Sequence, residues 1–120
     1  MIKMKRAYEP PERKDGYRVL IDRLWPRGIE KSRLALDQWI KDLAPSPELR
    51  KDFGHDPSRW KQFRARYRLE LRSKAARETI DTLAKRASKS PVTLIYSARD
   101  EDHNNAVVLK EAIERQIKQG

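Results

Sequence analysis

The sequence predicts an α/β fold, a single compact domain spanning residues 1–120 in which a small, largely parallel sheet of about three strands is flanked by helices. Three observations predict it. The apolar runs Val19-Leu20-Ile21 and Val92-Thr93-Leu94-Ile95-Tyr96 read as buried strands. The segments between them carry apolar residues at helical spacing, and strands separated by helices favour a parallel sheet. A chain of 120 residues is large enough for one core but not for two.

Each element has its own local signal. Ile2, Met4 and Tyr8 alternate with Lys3 and Lys5, as in a strand with one wet face. Pro10-Pro11 cannot continue a ladder because proline lacks the donor. Gly16 closes the loop, and Tyr17 to Leu24 form the second strand. Leu36, Trp39, Ile40 and Leu43 recur at helical spacing until Pro45. Ser46-Pro47 is an N-cap followed by proline at the first helical position, opening a short helix that Gly54 ends. Asp56-Pro57 repeats that start for a longer helix with Trp60, Phe63, Tyr67 and Leu71 on one stripe. Ile80, Leu83, Ala84 and Ala87 mark another helix before the third strand, Val92–Tyr96. Ala106, Leu109, Ile113 and Ile117 mark an amphipathic C-terminal helix.

Composition narrows the function classes. The net charge of +10 points to an acidic partner, nucleic acid first, although many small bacterial proteins are simply basic. The absence of cysteine removes disulfides, thiol nucleophiles and cysteine-based metal sites. No apolar run approaches the roughly 20 residues of a membrane helix, and the N-terminus lacks a signal-peptide core. The expectation is a cytoplasmic protein without a membrane partner or a cofactor, its oligomeric state open.

The most informative stretch is Asp22-Arg23-Leu24-Trp25-Pro26-Arg27-Gly28, directly after the second strand. Ligands of open α/β sheets bind at the carboxyl ends of strands, and arginine offers a planar fork for phosphate or carboxylate. The third strand gives way to Ser97-Ala98-Arg99-Asp100-Glu101-Asp102-His103-Asn104-Asn105 in the same manner. If the two strands are parallel, Asp22, Arg23, Trp25 and Arg27 face Arg99, Asp100, His103 and Asn104 across one cleft. A helix start there adds its unpaired N–H groups as an anion cradle. The structural alternative is that Asp102 caps that helix while Arg99 and Asp22 satisfy each other. Of the two histidines, His103 is the better acid–base candidate because it lies at a strand end, and His55 is expected to pack or bond at a turn. Neither has metal-motif spacing, so no metal site is expected.

A third feature is a basic ridge. At about 100° per residue, Lys61, Arg64, Arg68 and Arg72 flank the apolar stripe, with Glu70 the only acid from Arg59 to Arg77. Such a ridge could track a phosphate backbone or simply cover the core edge with long side chains. It supports nucleic-acid binding only if it continues into the cleft.

The motifs Asp22-Arg23-Leu24-Trp25-Pro26-Arg27-Gly28, Leu43-Ala44-Pro45-Ser46, Phe53-Gly54-His55-Asp56-Pro57, Arg59-Trp60 and Ala98-Arg99-Asp100 with His103-Asn104 resemble those of the YeaO-like proteins of the "domain of unknown function 488" family. The resemblance runs over nearly the full length with the motifs in order. It implies a compact α/β domain of bacterial cytoplasmic type and brings no reaction with it. One departure stands out: the family pattern His-Asn-His-Ala reads His103-Asn104-Asn105-Ala106 here.

Three functional readings follow. The leading one is a binding module for a phosphate-bearing ligand, a nucleotide or a nucleic-acid segment. Arg23, Arg27 and Arg99 would hold the anion, Trp25 would stack on a base, and Asp22 and Asn104 would orient polar groups. The second is an enzyme acting on a phosphorylated or nucleobase-containing substrate, with His103 as acid or base and Asp100 or Asp22 behind it. The third is a protein-interaction domain with a basic surface, favoured if Trp25 and Trp39 form one exposed apolar patch.

Overall fold

The computed structural model describes residues 1–119. Four parallel strands form one sheet in the order β1-β4-β2-β3: β1 (Ile2–Arg6), β2 (Tyr17–Leu20), β3 (Gln38–Trp39) and β4 (Val92–Tyr96). The helices are α1 (Lys31–Leu34), α2 (Pro47–Phe53), α3 (Trp60–Glu70), α4 (Lys74–Ala87) and α5 (Asn105–Gln119). No helix of the described residues is long and apolar enough to cross a membrane.

Strand β3 is the element that periodicity misread. Leu36, Trp39, Ile40 and Leu43 fit a helix by spacing, but they serve two different cores. Leu36 and Trp39 pack against one sheet face, whereas Ile40 and Leu43 pack against the other. The chain crosses the sheet edge instead of coiling. Ala35 ends α1 in the left-handed conformation (φ 48°), and the N–H groups of Asp37 and Ile40 donate to the Arg18 and Leu20 carbonyls. A two-residue strand followed by a 3-10 turn at Lys41–Leu43 replaces the expected helix. The second strand is also shorter than expected. Ile21 still donates to the Ile95 carbonyl, but Leu24 is exposed.

The remaining helices follow their signals. Ser46 accepts from the Leu49 N–H, Pro47 opens α2, and Gly54 closes it in the left-handed conformation (φ 52°). Phe63, Tyr67 and Leu71 of the α3 stripe are buried, and so are Ile80, Leu83, Ala84 and Ala87 on α4 and Ala106, Leu109 and Ile113 on α5. These residues cover the sheet face that carries Val19, Ile21, Val92, Leu94 and Tyr96. Gly16 (φ 66°) lets the chain enter β2 beneath Pro91; a Cβ there would lie 2.3 Å from the Pro91 carbonyl oxygen.

The opposite face has a thinner cover and a buried charge network. Leu20, Ile95, Ala7 and Leu34 form a small cluster walled by Trp25, Ile29, Leu36 and Trp39. Beside it, Arg18 pairs with Asp15 at 2.7 Å, both side chains almost fully buried, and donates to the Leu34 carbonyl. Lys5 closes the network on Asp15 at 2.9 Å. The face of β1 expected to be wet therefore holds its lysines in this network: Lys5 on Asp15 and Glu12, and Lys3 on the Lys14 carbonyl.

Burial works to raise the Asp15 carboxyl, but the Glu12 N–H, Lys5 and Arg18 outweigh it and hold its pKa below the ordinary value. A carboxylate depressed in the folded state stabilises the fold above the unfolded pKa of about 4, and that contribution is lost as pH falls through the folded value. The stability gap between the parent and Asp15→Asn proteins is expected to be largest near neutrality and to close in acid. Urea midpoints measured against pH check this; a gap that does not change with pH would contradict it.

Candidate functional site

The cleft begins where the two central strands end. Chain leaving β2 turns onto the face covered by α1, and chain leaving β4 enters α5 on the other face. Adjacent parallel strands whose connections diverge in this way leave a crevice at their carboxyl ends. Here it is a cleft of about 700 Å³, lined by the Asp22–Arg27 turn, Ser97–Asp100, the start of α5, and parts of α2 and α3.

Asp22 fastens its floor. One carboxylate oxygen accepts from the Ser97 N–H at 2.9 Å, and the other accepts from the Asn105 side-chain amide at 3.0 Å. The same amide reaches the Ile21 carbonyl, and the Trp39 indole N–H donates to the Asp22 carbonyl at 2.7 Å. Asn105, the position that departs from the family pattern, is thus part of this clasp. Arg6, at the end of β1, adds bonds to the Ser97 and Ala98 carbonyls.

The structure brings most of the anticipated residues together. Asp22, Arg23, Trp25, Arg27, Arg99, Asp100 and Asn104 all line the cleft. Asp22 and Arg99 do not pair with each other; amide donors occupy Asp22 instead. The helix cap is Asn104, whose side-chain oxygen accepts from the Val107 N–H at 3.2 Å, and not Asp102. Trp25 is half-buried, its indole N–H bonded to the Ile29 carbonyl and its ring packed edge-on against Trp39 at 5.4 Å. Trp39 is half-buried as well, so the two tryptophans form a wall and not an open apolar patch.

His103 lies outside the cleft lining. Its Nδ1 meets Asp100 at 2.9 Å, and its ring stands edge-on to Trp60 at 5.3 Å, bracing the loop against α3. The bond to His103, then the N–H groups of Asp102 and His103, hold the Asp100 carboxyl below its usual range. The ridge residues do not reach the cleft either. Arg64 pairs with Glu111, Lys61 lies on neither wall, and Arg68 and Arg72 line a separate groove.

Several lining residues escaped the sequence reading, Arg50, His55 and Ser97 among them. Arg50 of α2 and His55 line the far wall. His55 has a positive φ of 57° directly after the left-handed Gly54, an uncommon state for a non-glycine residue. Ser97, the first residue past β4, lies within the strand-end signal that revealed Arg99. Its Oγ and the Arg23 Nε are buried side-chain atoms without a hydrogen-bond partner, and both belong to residues that line the cleft. Among the described residues Arg23, Arg27, Arg50 and Arg99 form no ion pair.

The model of the family described as "Inactive DUF488-N3 subclade" matches residues 1–120. The chain belongs to this subclade of the DUF488 family. It is 48% identical over 108 residues to the uncharacterised protein YeaO of Escherichia coli K12, covering 90% of this chain and 92% of YeaO. It is 38% identical over 112 residues to the uncharacterised protein Rv3073c of Mycobacterium tuberculosis H37Rv, covering 93% of this chain and 92% of that relative. A Mycobacterium bovis relative, the uncharacterised protein Mb3100c, matches to the same extent. No solved structure matches the chain significantly.

In this DUF488 protein, removing the Asp22 carboxylate takes the acceptor from the part-buried Ser97 N–H and leaves the Asn105 amide with the Ile21 carbonyl alone. Asp22→Ala is expected to lower stability by about 1–3 kcal/mol, and Asp22→Asn, which keeps an acceptor for Ser97, by less. Urea denaturation measures both. A loss in Asp22→Ala within about 0.5 kcal/mol, ordinary for a surface site, would contradict the clasp.

Proposed function

We propose that this DUF488 protein binds a small phosphate-bearing ligand of nucleotide type at the carboxyl edge of its sheet. The observation that carries this reading is the pair of unsatisfied buried groups, Arg23 Nε and Ser97 Oγ, at one cleft. Buried polar atoms are nearly always bonded, and leaving one unpaired costs about 1–3 kcal/mol. Both atoms are closed to solvent, so a ligand oxygen would satisfy them with a turn of the Arg23 and Ser97 side chains toward the cleft. Arg27, Arg50 and Arg99 supply further cationic donors, and α5 starts at the same wall.

The chemistry of the walls narrows the ligand. Leu24, Trp25, Pro26, Phe53 and Phe63 stand among the arginines. Such a site suits a molecule with an apolar flat part and an anionic end, and about 700 Å³ is within the usual range for small-ligand sites. The ridge of Lys61, Arg64, Arg68 and Arg72 does not extend into this cleft, which favours a mononucleotide there over a polymer.

Binding is favoured over turnover for three reasons. The subclade is described as inactive. Asn105 stands beside Asp22 where the family pattern has histidine, and an amide cannot exchange a proton at neutral pH. His103 carries its carboxylate but faces Trp60 outside the cleft.

A ligand at about 100 times its Kd stabilises the folded state by about 2.7 kcal/mol. Nucleotides are expected to raise the melting temperature by several degrees, and Arg23→Gln and Arg99→Ala proteins to lose that rise while remaining folded. A shift that persists in both variants, or none with any nucleotide or sugar phosphate, would overturn the reading.

A further inference from the structure

A second cationic surface lies away from the cleft. It is a groove of about 880 Å³ between the end of α3, the start of α4 and the last turns of α5. Arg68, Arg72, Lys74, Arg77 and Arg115 line it, all exposed, and none forms an ion pair among the described residues. Only Lys61 and Arg64 of the sequence ridge are missing, and Lys74, Arg77 and Arg115 arrive from other helices. Tertiary packing has built a different patch from the one that helical periodicity outlines.

The acids nearby do not neutralise it. Glu70, the one acid of the ridge segment, turns to α2 and accepts from the Ser46 N–H and hydroxyl at 2.8 and 2.6 Å. Of the two acids lining the groove, Asp81 is held by Lys85 at 3.1 Å and by Gln116 at 3.3 Å, which leaves Glu78. Helix α4 also begins with Lys74 and Arg77 and has no acid in its first turn. Cations at the positive end of a helix repel its dipole, so an external anion relieves strain that the chain itself leaves in place.

We propose that this groove docks the phosphate backbone of duplex DNA. Five cations, from three helices and the α3–α4 turn, match a partner whose charge is dense and continuous, about one per 1.7 Å of duplex axis. An acidic peptide would need near-consecutive carboxylates to do the same. No aromatic side chain lines the groove, so it lacks the stacking platforms that single strands use. Contacts of this kind fix position without reading bases, and the binding is therefore sequence-independent and salt-sensitive.

Fluorescence anisotropy with a short labelled DNA duplex tests this on the full chain. The variant Arg72→Ala/Lys74→Ala/Arg77→Ala is compared with a charge-matched control, Lys31→Ala/Arg33→Ala/Lys51→Ala, whose residues are exposed and line neither cleft nor groove. The groove variant is expected to bind at least about tenfold more weakly at low salt. Its plot of log affinity against log salt should flatten by about 2–3 in slope, close to the phosphates released by three cations. Circular dichroism confirms that it folds, and the parent's melting temperature should rise with duplex while the variant's does not. Equal losses in groove and control variants would overturn the proposal. So would tighter binding of single strands, or of a polyglutamate peptide, than of duplex. Because the cleft arginines are untouched in both variants, the outcome is independent of nucleotide binding at the sheet edge.

Discussion

The Asp22 carboxylate is the constraint on which the site depends. It sits one residue beyond the last ladder bond of β2 and takes donors from the end of β4 and the first turn of α5, while its own carbonyl takes the Trp39 indole from β3. Three chain segments leaving the sheet are pinned to one residue. The second consequence is electrostatic. Asp22 takes neutral amide donors and is not the partner of Arg23 or Arg99, and among the described residues the arginines of the cleft form no ion pair. Had the carboxylate met a guanidinium, the same residues would have made a structural ion pair and left fewer unpaired cations at the cleft.

The chain makes such a pair elsewhere, which shows the contrast. On the thin side of the sheet Asp15 and Arg18 are buried together, with Lys5 and the Leu34 carbonyl completing their bonds. There each donor and acceptor is matched within the fold. At the carboxyl edge, Arg23 Nε and Ser97 Oγ are not. The high net charge thus divides into matched charge that holds the fold, an electropositive cleft at the sheet edge, and a groove among the helices.

Much of this was legible in the sequence because the signals were local. The caps Ser46 and Asp56, the stop at Gly54, the buried run Val92–Tyr96 and the stripes of α3, α4 and α5 all depend on neighbours in the chain. The strand-end rule gathered Asp22, Arg23, Arg27 and Arg99 because parallel strands place their ends together. What failed was information that only packing holds. Leu36, Trp39, Ile40 and Leu43 match a helical period by coincidence, since no spacing says that two of them belong to each sheet face. His103 was placed correctly at the strand end, but its direction toward Trp60 follows from where α3 lies. Arg50 and His55 reach the cleft only through the docking of α2, and Arg115 joins Arg72 only because α5 packs against α4.

The most direct measurement is a nuclear magnetic resonance titration that follows the Nε–H resonances of the arginines as AMP is added. The account predicts that the Arg23 Nε–H signal, buried and without a partner in the fold, moves saturably downfield as it gains a charged acceptor, together with the backbone amides around Ser97. Arg18, already bonded to the Leu34 carbonyl through its Nε, should stay still. An Arg23 signal that does not respond, or small unsaturable shifts spread evenly over the exposed arginines, would contradict the claim that the cleft is a phosphate site.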